Sequence, residues 1–93
     1  MREPTHPGEI LREDVLPDMG ISVTEFAKAL RISRQSLHLI LSERKSITPN
    51  VALRLGKFLG NGPDIWLKMQ NAFDLWDVRR KIASELKQIQ TRL

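Results

Sequence analysis

Ser33-Arg34-Gln35-Ser36 concentrates this chain's capacity for specific hydrogen bonding in four consecutive residues. An arginine guanidinium is a rigid fork of donors, and a glutamine amide sets a donor beside an acceptor. Those groups match the O6/N7 edge of guanine and the N6/N7 edge of adenine, each through paired hydrogen bonds. Ser36 has a shorter reach, to a base edge or to a phosphate. Leu39, next to His38, could meet a thymine methyl if it faces outward. Thr24, Ser33, His38, Arg44, Lys45 and Ser46 supply hydroxyl, imidazole and cationic groups suited to phosphates, contacts that set register without reading sequence. The plainer readings are a solvated helix start for Arg34 and Gln35, a buried or interface leucine at position 39, and a solvated basic loop at 44–46.

Catalytic chemistry fits these residues poorly. The 93 residues include no cysteine, and the two histidines, His6 and His38, lie in different segments without an ordered carboxylate cluster. That composition excludes a disulfide framework and a thiolate metal site, and it lacks the acid–base constellation a hydrolase needs. We therefore expect no enzyme activity, no metal and no cofactor. A net charge of +4 favours polyanionic partners, weakly by itself and more usefully beside the Ser33–Ser36 cluster. No apolar run approaches the roughly 18 residues of a membrane span. The segment MREPTHPGEI lacks the apolar core of a secretory signal, so the expectation is a cytoplasmic protein with no membrane partner.

The elements that must position the cluster are short amphipathic helices. Residues 1–6 read as a flexible polar arm. Pro7 suits a first helical position, and Ile10, Leu11, Val15 and Leu16 follow as a helical stripe that Leu16-Pro17 should end. Ser22 and Glu25 have the spacing of a reciprocal cap for a second helix. Ser33 caps a third helix that runs to about Glu43. Phe26, Leu30, Ile32, Leu37 and Ile40 pin this pair together, and Ala27 is small enough for close approach. The tight turn between them wants a residue that tolerates positive φ, and Arg31 occupies that place. Thr48-Pro49 opens a fourth helix carrying Val51, Leu53, Leu55, Phe58 and Leu59, closed by Gly60. A fifth begins near Asp64 with Ile65, Trp66, Met69, Phe73 and Trp76, read as core packing. With no Gly or Pro after Pro63, that helix could continue to Leu93.

The expected architecture is all-α: a five-helix, repressor-like helix-turn-helix domain over residues 7–76 and a C-terminal helical extension over 77–93. In a helix-turn-helix the second helix of the pair enters the major groove of DNA by its N-terminal end. The extension carries an apolar stripe among Arg79, Arg80, Lys81, Lys87 and Arg92. A lone amphipathic helix needs a partner, so a homodimer contact is expected there, against packing onto its own domain as the alternative.

Three stretches carry a family resemblance. HPGEILRED near the start, FAKALRISRQSLHLILSERKSITPNVALRL in the middle and PDIWLKMQNAFDLWDVR toward the end together resemble the HigA-type antitoxins, a branch of the phage-repressor-like (Xre) helix-turn-helix family. The resemblance implies a type II toxin–antitoxin system. It further implies a homodimer that binds double-stranded operator DNA, represses its own operon and neutralises a HigB-like, mRNA-cleaving toxin. The competing readings are an interaction module that masks a toxin with little DNA binding, and a stand-alone repressor without a toxin.

Overall fold

The structure is a computed structural model that describes residues 3–93, and every regular element among them is helical. The first helix, α1, runs from Pro7 to Met19 in three continuous parts. These are α-helical Pro7–Ile10, a π-helical turn Leu11–Val15 and α-helical Leu16–Met19. The stop expected at Leu16-Pro17 does not occur. A proline within a helix has no N–H to donate, and its ring presses on the carbonyl four residues back. The π turn just upstream widens the helix there, the Leu16 N–H reaching back five residues to the Leu11 carbonyl. The helix therefore continues through Asp18 and Met19, and Gly20 caps it at φ 66°.

The helix starts fall where the capping residues put them. Helix α2 is Val23–Leu30; Ser22 Oγ accepts from the Glu25 N–H at 3.1 Å, and the Ser22 N–H donates to Glu25 Oε1 at 3.3 Å. Helix α3 is Arg34–Leu41, shorter at its end than the sequence suggests, because Glu43 turns into the left-handed region at φ 65°. Helix α4 is Pro49–Leu59, with the Thr48 hydroxyl accepting from the Val51 N–H at 3.3 Å. Helix α5 is Asp64–Lys81 and α6 is Ala83–Gln88.

One core joins α1 through α5. Leu11, Phe26, Leu30, Leu37, Ile40 and Leu55 are essentially sealed from solvent, with Ala27, Ala52 and Trp66 beside them. Helix α3 packs against both α2 and α1, and α4 against α2 and α5. The α1–α3 approach is close enough that a Cβ on Gly8 would overlap the Ile40 carbonyl oxygen. A glycine is therefore a steric requirement at this crossing.

His6 belongs to this packed body. It was expected in a flexible arm, yet only 3% of it is exposed. Its Nδ1 accepts from the Gly8 N–H at 2.9 Å, which makes it the N-cap of α1. Its ring stands edge-on to Phe73 at 4.8 Å. Residues 1 and 2 of the expected arm lie outside the described residues.

The other end departs from the globule. A compact chain of this length has a radius of gyration of about 12 Å, whereas this one has 15.7 Å and extends 50 × 22 × 22 Å. The last turn of α5 and all of α6 are exposed along this long axis. The single helix expected to reach Leu93 breaks instead at Ile82, where φ is −112° and ψ 19°, and helical structure ends at Gln88. No Gly or Pro marks the break. Beyond the globule only intrinsic propensity holds a helix, and that is marginal for short segments.

Candidate nucleic-acid interface

Helix α3 divides its side chains by angular position. At 100° per residue, Leu37, Ile40 and Leu41 share an arc of about 100° that enters the core, while Arg34, Gln35 and His38 share a neighbouring arc that is exposed. Ser36 and Leu39 occupy the remaining arc, Leu39 roughly opposite the core face, and both are half-buried. Leu39 is thus neither a core residue nor a freely projecting one. The Ser33 hydroxyl accepts from the Ser36 N–H at 3.0 Å, which fixes the helix start with the Arg34 and Gln35 side chains in solvent. Two further N–H groups in that first turn remain open to a phosphate oxygen or water.

The loop after α3 folds back over it. The Leu39 carbonyl accepts from the Arg44 N–H at 2.9 Å and from the Lys45 N–H at 3.2 Å. Lys45 Nζ then donates to Ser36 Oγ at 3.0 Å. Two residues chosen from the sequence as DNA contacts, one from the helix and one from the loop, are in this way brought into direct contact. Arg44 and Ser46 are exposed in the same loop, and Thr24 is exposed at the start of α2. Among the described residues, no three His, Cys, Asp or Glu side chains are grouped as metal ligands would be.

Both ends of α3 are anchored by arginines that sequence reasoning passed over. Before the helix, Arg31 adopts φ 58° and ψ 41°, so the turn keeps its regular left-handed form without glycine. Arg54 of α4 donates from Nη1 to the Leu30 and Arg31 carbonyls at 3.0 and 3.2 Å. After the helix, Arg12 of α1 donates to the Leu41 carbonyl and lies 3.4 Å from the Glu43 carboxylate. The neighbouring Glu13 and Glu43 carboxylates hold the Arg12 guanidinium even above its ordinary, always-charged range. The available signal for Arg54 was Asn50 one turn earlier; for Arg12 it was a lone cation on an otherwise acidic helix.

A buried polar chain supports the same region from below. Gln70 sits inside the apolar stripe of α5, 4% exposed. Its Oε1 accepts from the Ile47 N–H at 2.8 Å and its Nε2 donates to Asp74 at 2.9 Å, with His6 Nε2 3.4 Å away. Burial lowers the His6 pKa from the ordinary imidazole value, opposed by the nearby Glu43 and Asp74 carboxylates. The Gly8 N–H bond to Nδ1 likewise requires an unprotonated Nδ1, so His6 serves as a packing and capping group. No buried side-chain nitrogen or oxygen among the described residues is left without a partner.

Two short helices crossing over a left-handed turn, the second presenting a capped polar start, define a helix-turn-helix protein. A helix-turn-helix family profile matches residues 11–66. Virulence-associated protein I of Dichelobacter nodosus is 45% identical over 83 residues, 89% of this chain and 72% of its own length. Antitoxin HigA-1 of Vibrio cholerae is 36% identical over 86 residues, 92% of this chain and 81% of its own. Among solved structures, antitoxin GraA in complex with its operator superimposes with a TM-score of 0.89 at 40% identity, over 100% of this chain and 93% of that one. The chain belongs to the helix-turn-helix family, in the branch that contains the HigA antitoxins.

Proposed function

We propose that this protein is a sequence-specific DNA-binding antitoxin that represses its own operon as a homodimer and neutralises an mRNA-cleaving, HigB-like toxin in the cytoplasm. The observation that carries the reading is the capped, exposed start of α3 on a chain that matches an operator-bound relative along its whole length. Arg34 and Gln35 read base edges, with Ser36 and Leu39 at the flank. Ser33, Thr24, His38, Arg44, Lys45 and Ser46 hold phosphates. A dimer sets two α3 helices in successive major grooves, roughly 34 Å apart, on an inverted repeat. No helix among the described residues is long and apolar enough to cross a membrane. The protein performs no catalysis in this reading; it acts by occupying DNA and by covering the toxin.

An electrophoretic shift with the DNA upstream of its own gene tests the DNA half of the proposal. Specific complexes of this kind form at about 10⁻⁸ M or below and loosen steeply with salt. The expected result is a shift in that range which survives excess random duplex. Equal affinity for both duplexes would overturn it. Co-expression with a HigB-like toxin tests the other half: rescue of growth and co-purification are expected, and a chain that gives neither is no antitoxin for that toxin.

A further inference from the structure

The turn that aims α3 contains no glycine. Arg31 holds a left-handed backbone conformation that a residue with a Cβ resists. The two carbonyls at this bend, those of Leu30 and Arg31, converge on one nitrogen, Nη1 of Arg54. Arg54 is itself held on α4, where its Nε donates to Asn50 Oδ1 at 2.8 Å one turn back. The guanidinium uses its fork in two directions, toward its own helix and toward the C-terminal end of α2. That end carries the partial negative charge of the helix dipole, which a cation complements. Arg54 is half-buried, and three of its donor contacts are already made within the chain.

We infer that Arg54 is a positioning residue for base reading: it holds Arg31 in the left-handed region and so sets the direction in which α3 presents Arg34 and Gln35. The inference rests on the DNA-reading proposal for α3. It assigns Arg54 a geometric role, distinct from the charge that Arg44 and Lys45 bring to phosphates. A lysine keeps the charge but has no planar fork, so it cannot bridge Asn50 and two carbonyls in the same way.

The test uses the full chain as wild type, Arg54→Lys, Arg54→Ala and the double variant Arg31→Gly/Arg54→Ala. Each is titrated against the duplex upstream of its own gene and a random duplex of equal length, over a salt series, with thermal melts confirming a folded protein at the assay temperature. Arg54→Lys and Arg54→Ala are expected to lose about tenfold in affinity for the upstream duplex and less than about twofold for the random one, with the salt slope unchanged for Arg54→Lys. Glycine holds positive φ by itself, so Arg31→Gly is expected to return most of the lost discrimination to Arg54→Ala. Folded Arg54→Lys that discriminates as well as wild type overturns the inference. So does an equal loss on both duplexes with a shallower salt slope, the signature of a phosphate contact, and so does a glycine that restores nothing. A wild-type chain that treats the two duplexes alike removes the DNA-reading proposal, and the Arg54 role with it.

Discussion

At the scale of single residues, the α3 side chains divide by chemistry. Arg34 is an exposed fork at the helix start, whereas Lys45 is a point charge leaning on Ser36 from the following loop. Arg34→Ala should therefore cost about 1–3 kcal/mol on the preferred sequence and relax discrimination, while Lys45→Ala should weaken all duplexes nearly equally and make the salt slope shallower by about one. Equal losses across sequences for both variants would contradict that division. His6 allows a second prediction, with its sign set by burial. The folded state favours the neutral imidazole, so its pKa lies below the unfolded value of about 6.5. Above that pH both states are neutral and the shift contributes nothing. As pH falls below it, the unfolded chain takes up a proton that the folded one resists, and stability declines. Denaturant midpoints at pH 7.5 and 5.5 should differ for wild type and differ less for His6→Asn, which keeps an acceptor for the Gly8 N–H. Parallel losses in the two proteins would exclude His6 as the source. The sequence exposed the Arg34–Gln35 pair because adjacency in the chain is adjacency in space at a helix start. It concealed His6 and Gln70, which meet across 64 positions of chain that no local spacing relates.

At the scale of elements, helix starts were legible and helix ends less so. A start is a local event: Ser22, Ser33 and Thr48 each satisfy an amide three residues on, through bonds visible in the spacing alone. Ser33→Ala should lower stability by about 1 kcal/mol, read as a shift of roughly 4–8 °C in the melting midpoint. The ends depended on what surrounded them. Pro17 fails to stop α1 because a π turn accommodates it, and Ile82 breaks α5 where no neighbour supports the helix. The α1–α3 crossing was likewise invisible from either helix. Its requirement for Gly8 predicts that Gly8→Ala costs about 1–3 kcal/mol by overpacking against the Ile40 carbonyl. An alanine there with an unchanged melting midpoint would show that the two backbones are not in contact.

At the scale of the whole molecule, the projecting end presents an apolar stripe to solvent. Leu75, Val78, Ile82 and Leu86 recur at helical spacing and remain exposed, Leu75 at 53%. Arg80 stacks on Trp76 at 3.9 Å while Lys81 and Arg80 pair with Asp77, so charged groups already have partners near this apolar stripe. A second copy of the chain would bury the stripe and double the DNA-reading surface. Deleting residues 78–93 should convert a dimer in solution to a monomer by light scattering, with the melting transition of the globule retained. A truncated chain that keeps the dimer mass would place the dimer contact elsewhere.

What the sequence determined alone was the set of helices, the identity of their inward faces and the polar start of α3. Periodicity, caps and turn residues act over three or four positions, so they can be read without a fold. Tertiary structure decided how that start is held. The left-handed Arg31 is clamped by Arg54, the exit of α3 is anchored by Arg12, and Gln70 holds the loop behind the reading helix through the Ile47 N–H, with His6 packed beside it. Those contacts join residues 23 to 64 positions apart. Only packing can bring such pairs to hydrogen-bonding distance, because no local spacing rule relates them.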